Sequence, residues 1–245
     1  MHICFDTAAE IYDKTRRLPN HVMEQLVNRM TDELKDYQTV LDVGVGTGRF
    51  AKPLQEKSFK VVGVDLSGKM LNKAVEKGVK DLFRCDVCFL PLTSKSFEAS
   101  LCIHVLHLIN DWKMALKEIC RVTRKIMVST INVHKDPVRQ AYNTMLEDLG
   151  YKRTRPGKDE WELQGFVKPK KSVFAASYNN RADEHLENLA QRAFTSQWQI
   201  PEEINKKVVA ELKEQFAGKT FSQELRVLIW DINDLESIAL TSQRS

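Results

Sequence analysis

The sequence lacks a hydrophobic run of the ~20 residues that a membrane-spanning helix requires. The longest candidate, residues 101–109, is short and is interrupted by two histidines. The first residues carry acidic side chains early and show no basic segment followed by an apolar one, so no signal peptide is predicted. Glycine and proline are few, 10 and 7 in 245 residues, which argues against collagen-like repeats and low-complexity linkers. We expect an ordinary globular protein.

Cysteine is also scarce and unevenly spaced. The chain has five, an odd number that fits free thiols in a reducing cytoplasm better than a disulfide framework. Cys85 and Cys88 form a C-x-x-C without a second pair, which argues against zinc and haem sites. We therefore expect two half-buried thiols there, no metal site, and a cytoplasmic protein.

The net charge of +4 comes from one region, residues 151–171, which we call the basic stretch. It contains seven lysines and arginines against three acids, so the remainder of the chain sums to zero. Two interpretations remain open: a landing site for an anionic partner such as RNA, or a solvated loop. We favour the solvated loop because basic clusters are common on protein surfaces.

The first two-thirds of the chain alternates short apolar runs with helix-like segments. Strands are predicted at 39–45, 60–66, 81–85, 97–105 and 125–131, with helices at 18–34, around 51–57 and over 114–122. Strands that are apolar nearly throughout are typical of a parallel sheet covered on both faces. The pattern predicts a doubly wound α/β fold.

The segment VLDVGVGTGRF, residues 40–50, combines a strand with a glycine-rich turn and a following helix. Gly44, Gly46 and Gly48 allow a sharp turn and a close approach of ligand to backbone. The dinucleotide fingerprint G-x-G-x-x-G would need a glycine where Arg49 stands, and no Walker motif is present. The pattern is instead acid-x-G-x-G-x-G, with Asp42 as the acid. A nicotinamide dehydrogenase is thereby disfavoured.

Polar side chains follow the next two predicted strands. Asp65 ends KVVGVDLS, where its carboxylate can accept hydrogen bonds from both hydroxyls of a ribose; the alternative is a helix cap. Asp86 follows the third strand, placed to accept from an adenine amino group while Val87 packs on the ring. All these sites fall at the carboxyl edge of the sheet, where open α/β folds bind ligands.

The segments DVGVGTGRF, VVGVDLSGKML and CDVCFLPLTSKSFEASLCIHVLHLINDWKMALKEICRV resemble the class I S-adenosylmethionine-dependent methyltransferases. They are most similar to the ubiquinone/menaquinone-type and related small-molecule branch. The resemblance spans roughly residues 5–131 and implies S-adenosylmethionine as cofactor. It also implies a seven-stranded, mostly parallel sheet with an antiparallel last strand. The family's Pro-Gly-Gly turn before the fifth strand is missing from RVTRKIMVS, which implies a tighter connection there.

The resemblance also implies further site residues. FDTAAEIYDKTR resembles the family's amino-terminal cover, so Tyr12 and Arg16 are expected to close over the methionine end of the cofactor, with Arg16 pairing to its carboxylate. Beside the strand ends, we expect contacts from Leu66, Cys102 and Ile103 as well.

Four segments of a single compact domain are predicted. They are an amino-terminal helical cap over the cofactor site (1–36), a cofactor-binding core (37–134), an acceptor-side helical elaboration (135–219), and a final strand and tail (220–245). In the last two segments we expect helices at 138–149, 183–194 and 201–216, extended structure at 161–178 and a strand at 220–232.

The expected function is in-line methyl transfer to a small-molecule acceptor. A general base is needed only if the acceptor must lose a proton, and His104, just after the fourth strand, is the candidate catalytic base. The competing interpretation is a packed core histidine, for His104 and still more for His107. Aromatic residues of the carboxyl-terminal part either wall an acceptor pocket or form core. Two alternative functions stay open: an RNA or protein methyltransferase using the basic stretch, and a non-catalytic cofactor-binding partner protein.

Overall fold

The computed structural model of the chain describes residues 5–7, 9–151 and 156–240. Within these residues one sheet is formed by strands β1 (Thr39–Val43), β2 (Lys60–Asp65), β3 (Leu82–Arg84), β4 (Phe97–Cys102), β5 (Thr123–Asn132), β6 (Lys171–Arg181) and β7 (Thr220–Asp231). Their order in the sheet is β3-β2-β1-β4-β5-β7-β6.

The helices lie on both faces of this sheet and at its ends. They are α1 (Ala9–Thr15), α2 (Asn20–Leu34), α3 (Ala51–Glu56), α4 (Gly68–Glu76), α5 (Trp112–Val122), α6 (Pro137–Asp148), α7 (Glu160–Leu163), α8 (Ala182–Ala190), α9 (Glu202–Phe216) and α10 (Ile232–Leu240). Within the described residues, none of these helices has the length and apolar character needed to cross a lipid bilayer.

The pairing of the strands confirms the predicted fold class. β1 pairs in parallel with β2 and β4, β2 with β3, and β4 with β5, whereas β7 runs antiparallel to both β5 and β6. In this register Val43 lies opposite both Val64 and Cys102. The residues that follow β1, β2 and β4 therefore emerge at one edge of the sheet, which is where the candidate site lies.

Two hydrophobic clusters cover the two faces. Along β1, Leu41 and Val43 belong to the cluster under α5 and α10, while Val40 belongs to the cluster under α2, α3 and α4. Successive side chains of a strand point to opposite faces, so a sheet covered on both sides needs apolar residues at nearly every position. α5 ends at Val122 and β5 begins at Thr123, so the connection is as short as expected.

A third hydrophobic cluster joins α6, α8 and α9 beyond the end of the sheet. It encloses a buried polar group: Asn205 accepts hydrogen bonds from the Tyr142 hydroxyl (2.6 Å) and the Gln197 amide (2.9 Å). The Asn205 amide donates to the carbonyl of Leu189 (3.1 Å). Each of these buried polar atoms has a partner, so the cluster fixes how the three helices meet.

Three element predictions for the carboxyl-terminal part were wrong in detail. Extended structure was expected over 161–178, but α7 occupies the start, held by a capping box between Asp159 and Glu162, and β6 begins only at Lys171. The helix predicted at 183–194 ends at Ala190. The tail expected after the last strand begins with α10, because Ile232, Leu235 and Ile238 recur on one helical face and pack beneath α5.

Replacing Asn205 by alanine should lower the free energy of unfolding by about 3 kcal/mol, because buried donors and acceptors lose their partner. Urea denaturation followed by circular dichroism measures this loss. Lys207→Ala, on the exposed side of the same helix, serves as the control and should change the free energy by less than ~0.5 kcal/mol. Equal effects of the two substitutions would show that the buried hydrogen bonds contribute nothing specific.

Candidate functional site

The glycine-rich turn after β1 adopts the left-handed backbone conformation at all three glycines. At Gly44 a Cβ atom would lie 2.5 Å from the Val105 side chain, so the position is closed to any other residue. At Gly46 the nearest atom to such a Cβ would be 3.9 Å away, which leaves the space above this backbone open. The turn therefore offers bare main chain to a ligand, as the sequence predicted.

Asp65 connects this turn to the neighbouring strand. Its carboxylate accepts hydrogen bonds from the amides of Gly46 and Ser67, both at 2.9 Å. Burial raises the pKa of Asp65, an effect that these amide hydrogen bonds oppose. Each carboxylate oxygen has a further lone pair for a ligand hydroxyl.

Asp86 and Val87 follow β3 at the same edge, since Arg84 lies opposite Asp65 in the sheet. The Asp86 carboxylate accepts from the amide of Cys88 (2.9 Å) and so begins the short turn Val87–Phe89. Leu66 is exposed beside them, and its carbonyl accepts from the Arg84 guanidinium. Asp86 and Val87, predicted at the adenine, and Leu66, predicted as a further cofactor contact, thus follow paired ends of β2 and β3.

The end of β4 supplies two further predicted residues. Ile103 lines the cleft described below, whereas the Cys102 side chain is buried in the core cluster under α5. Burial raises the pKa of the Cys102 thiol far above its ordinary value. Cys102 therefore serves as a core residue through its side chain, and a role in ligand contact stays a prediction for its backbone.

A cleft of about 2370 Å³ opens beside the glycine turn. It is walled by the amino-terminal helices, the end of β4, α6, α7 and α8. The predicted site residues that line it are Tyr12, Arg16, Asp42, Gly44, Gly46, Ile103 and His104. Gly48, Asp65, Leu66, Asp86, Val87 and Cys102 lie outside this lining. The predicted residues therefore divide into a group that lines the cleft and a group outside it, which the hydrogen bond between Gly46 and Asp65 connects.

The side-chain amide of Gln223, which lines the cleft and is 2% exposed, has no hydrogen-bond partner among the described residues. Two charged groups on the cleft also have a buried atom with neither a hydrogen bond nor an ion pair to those residues: Oδ2 of Asp42, a residue only 3% exposed, and Nη1 of Arg16. Burial and the nearby charge of Asp65 raise the pKa of Asp42 to about 8. Burial lowers the pKa of Arg16, whose Nη2 donates to the Ala193 carbonyl at 3.1 Å. Unpaired buried polar groups are rare in proteins, so these two atoms point to a ligand with complementary charges.

The Arg16 guanidinium is also held by aromatic rings. It lies 4.3 Å from the centroid of Phe194 and 5.9 Å from that of Tyr12. Because a guanidinium over an aromatic face is oriented by the ring, Arg16 is fixed toward the cleft before any ligand arrives. An ammonium beside Asp42 and a carboxylate on Arg16 are the two ends of an amino acid, which is what the methionine part of S-adenosylmethionine carries.

Sequence reasoning missed the contacts that hold the amino-terminal segment in place. The Thr47 hydroxyl donates to the Asp13 carboxylate at 2.6 Å, and Asp13 also forms an ion pair with Lys77, the residue that follows α4. Arg49, in the sequence only a departure from a fingerprint, is a half-buried guanidinium on the cleft; burial lowers its pKa, and the nearby Tyr12 opposes this shift. No spacing rule connects positions so far apart in the chain.

His104 adopts a left-handed backbone conformation (φ 58°) and is 54% exposed toward the cleft. Its backbone amide donates to Oε1 of Glu160 at 2.9 Å, and its ring Nδ1 lies 3.5 Å from Oε2 of the same carboxylate. Burial alone would raise the pKa of Glu160, but the His104 ring and amide hold it below its ordinary range. Glu160 was counted in the sequence only as one acid of the basic stretch.

The basic stretch is partly neutralised where the structure describes it. Ion pairs form between Lys158 and Glu162, Lys170 and Asp231, and Lys171 and Glu33. Residues 152–155, which hold three of its cations, lie outside the described residues. These pairs favour a solvated surface over a landing site for an anionic polymer.

Comparisons with known proteins agree with this geometry. Residues 41–126 match the family model described as a methyltransferase domain. Malonyl-[acyl-carrier protein] O-methyltransferase of Hamiltonella defensa is 32% identical over 131 residues, 52% of this chain and 50% of that protein. Ubiquinone biosynthesis O-methyltransferase of Pelagibacter ubique is 21% identical over 76% of this chain and 79% of that protein.

The fold has solved counterparts. The crystal structure of a SAM-dependent methyltransferase from Thermotoga maritima superposes with a TM-score of 0.53 and 18% identity, covering 93% of this chain and 97% of that one. This chain spans about half the length of the malonyl-[acyl-carrier protein] O-methyltransferases it matches, 50% and 48% in two cases. The glycine turn, the strand-end carboxylates and the sheet order all lie in or around the matched segment, so residues 41–126 of this chain form a methyltransferase domain.

Proposed function

We propose that this protein transfers a methyl group from S-adenosylmethionine to a small-molecule acceptor. The observation that carries the proposal is the pair of unpartnered atoms on one cleft, Asp42 Oδ2 and Arg16 Nη1, with the open backbone of Gly46 next to them. When bound, the cofactor supplies a methyl group already activated by its sulfonium. The protein therefore needs mainly to bind, align and exclude water.

Different residues of the chain bind different parts of the cofactor. Arg16 pairs with the cofactor's carboxylate and Asp42 with its ammonium, which gives each buried group the partner it lacks. Asp65 accepts hydrogen bonds from the ribose hydroxyls. Asp86 accepts from the adenine amino group, with Leu66 and Val87 against the ring. Tyr12, beside Arg16, covers the methionine end.

The acceptor side of the cleft comes from outside the matched domain. α6, α7 and α8 lie beyond residues 41–126, so the acceptors named for the relatives do not transfer to this chain. The enclosing helices and the large number of polar side chains support a polar small molecule. The ion pairs of the basic stretch speak against RNA as the acceptor.

A cytoplasmic location belongs to the same proposal. The described cysteines, Cys85, Cys88, Cys102 and Cys120, form no disulfide. Free buried thiols are typical of proteins kept in a reducing compartment.

S-Adenosylhomocysteine, the demethylated cofactor, should raise the melting temperature, because a ligand stabilises the state that it binds. At a hundredfold excess over Kd the expected rise is about 5–10 °C. NAD is the matched control, since it shares the adenosine but lacks the amino-acid end. Differential scanning fluorimetry with both compounds tests the proposal, and protection by NAD equal to that by S-adenosylhomocysteine would contradict it.

Asp65→Ala should weaken S-adenosylhomocysteine binding about 50-fold or more, because a charged acceptor of the ribose hydroxyls is removed. Isothermal titration calorimetry measures the change, with circular dichroism to confirm folding. Asp36→Ala removes an exposed carboxylate far from the turn and should leave the affinity unchanged. An unaltered Kd for Asp65→Ala would remove Asp65 from the site.

Affinity for S-adenosylhomocysteine should rise from pH 6 to pH 8 and then level off. With a pKa of about 8, Asp42 is protonated in the free protein at pH 6 and must release that proton to pair with an ammonium. Raising the pH lowers this cost by up to ~tenfold in Kd per pH unit until the pKa is passed. Calorimetry in two buffers of different ionisation enthalpy detects the released proton. Asp42→Asn should flatten the dependence and abolish the release; a wild-type profile in that variant would contradict the assignment.

A further inference from the structure

Every histidine that the structure describes lines the cleft. They are five of the six in the chain: His21, His104, His107, His134 and His185. Two of them contact a carboxylate through Nδ1, His104 with Glu160 and His185 with Asp136. The two pairs differ in the contacts of the other ring nitrogen, Nε2.

The pair of His185 is a packed, structural one. Its Nδ1 contacts Asp136, which also caps the start of α6, while its Nε2 lies 3.5 Å from the side-chain amide of Asn180. The ring stands edge-on to Phe221 at 5.4 Å, and the side chain is 24% exposed. With both nitrogens engaged, His185 is poorly placed to exchange a proton with a ligand.

In the pair of His104 and Glu160, the Nε2 nitrogen of the ring remains available to a ligand in the cleft. Glu160 holds both the backbone amide and the Nδ1 edge of the ring, so a single carboxylate fixes main chain and side chain together. Glu160 is 11% exposed and is the first residue of α7, whose start is locked by the capping box of Asp159 and Glu162. Among the described residues, none bonds to Nε2 of His104.

An ionised carboxylate only accepts hydrogen bonds, so the nitrogen facing it must carry the proton. For His104 this favours the tautomer with hydrogen on Nδ1 and a lone pair on Nε2. That lone pair is the group a general base needs, and His104 follows β4 at the edge where the sheet presents its ligands.

We propose that Glu160 is a positioning residue that fixes this tautomer, and that Nε2 of His104 takes the proton of a hydroxyl acceptor, such as a phenol. The inference rests on the proposed methyl transfer. The acceptor oxygen forms a bond to the methyl carbon, its proton passes to Nε2, and the electron pair of the broken carbon–sulfur bond stays on sulfur. The proton then leaves from His104 to solvent. A carboxylate acceptor is already deprotonated at neutral pH and would not need this arrangement.

Glu160→Gln tests the positioning role without requiring turnover. The glutamine oxygen can still accept from the His104 amide, but its NH₂ group then faces Nδ1 and donates to it. The proton moves to Nε2, the nitrogen that should act as base. ¹⁵N spectra of histidine-labelled protein, assigned with His104→Gln, should therefore show Nδ1–H in the wild type and Nε2–H in Glu160→Gln. Asp136→Asn, the matched change at the other pair, should leave the His104 signals unaltered.

Catechol serves as the hydroxyl probe and malonate as the carboxylate probe, each added to wild-type protein saturated with S-adenosylhomocysteine. A catechol hydroxyl should donate a hydrogen bond to Nε2 of His104 and thereby shift the Nε2 resonance, whereas malonate should not shift it. An Nε2–H tautomer in the wild type, or an unchanged tautomer in Glu160→Gln, would overturn the positioning role. No shift with catechol, or an equal one with malonate, would overturn the hydroxyl assignment.

Measuring the binding of S-adenosylhomocysteine distinguishes a failure of the roles given to Glu160 and His104 from a failure of the proposed methyl transfer. Glu160→Gln should bind it with the wild-type Kd, because the cleft residue that Glu160 contacts, His104, is not assigned to the cofactor. Absence of binding by the wild type would count against methyl transfer itself, whatever tautomer His104 adopts.

Discussion

The hydrogen bond between the Gly46 amide and the Asp65 carboxylate is the contact on which the site depends. It joins the turn after β1 to the end of β2 and can form only because the two strands are parallel and end at one edge. The left-handed glycines bring the amide to that edge, and the open space above Gly46 keeps it accessible. A parallel register and three small residues therefore place a bare backbone and a fixed carboxylate side by side, before any ligand is present.

Around this fixed edge, the two ends of the cleft are built differently. The edge with Asp65 and Asp86 uses strand ends of the matched domain, whereas the amino-terminal helices are held by distant contacts, from Thr47 to Asp13 and from Ser67 to Asp6. The opposite wall comes from α6 to α8, which share a hydrophobic cluster around Tyr142. Because the sheet edge and this helical wall come from different parts of the chain, the two can vary independently.

The fold and the grouping of the strand-end residues at one edge of the sheet were predictable because their determinants are local. Apolar strands, the spacing of the glycines and the positions of Asp65 and Asp86 at strand ends are all readable within a few residues. Glu160 was not, because its contact with His104 spans 56 positions and depends on where the short α7 docks. Four residues of helix are too few for a periodicity. α10 was missed for another reason: its apolar repeat is present in the sequence but directly follows a strand, and the residues after the predicted strand end at 232 were interpreted as a tail.

The unpaired polar groups of the cleft lower the stability of the free protein, and the surroundings of Asp42 and Arg16 reduce that loss. A buried donor or acceptor without a partner destabilises a fold by ~1–3 kcal/mol, and a charged one by more. Asp42 limits that cost by holding a proton, which is why its pKa rises to about 8, and Arg16 limits it by lying against Phe194 and Tyr12. A ligand bearing an ammonium and a carboxylate would relieve both at once. The free protein is thus strained at the two atoms where an amino-acid end would bind, and the three hydrophobic clusters supply the stability that lets it remain so.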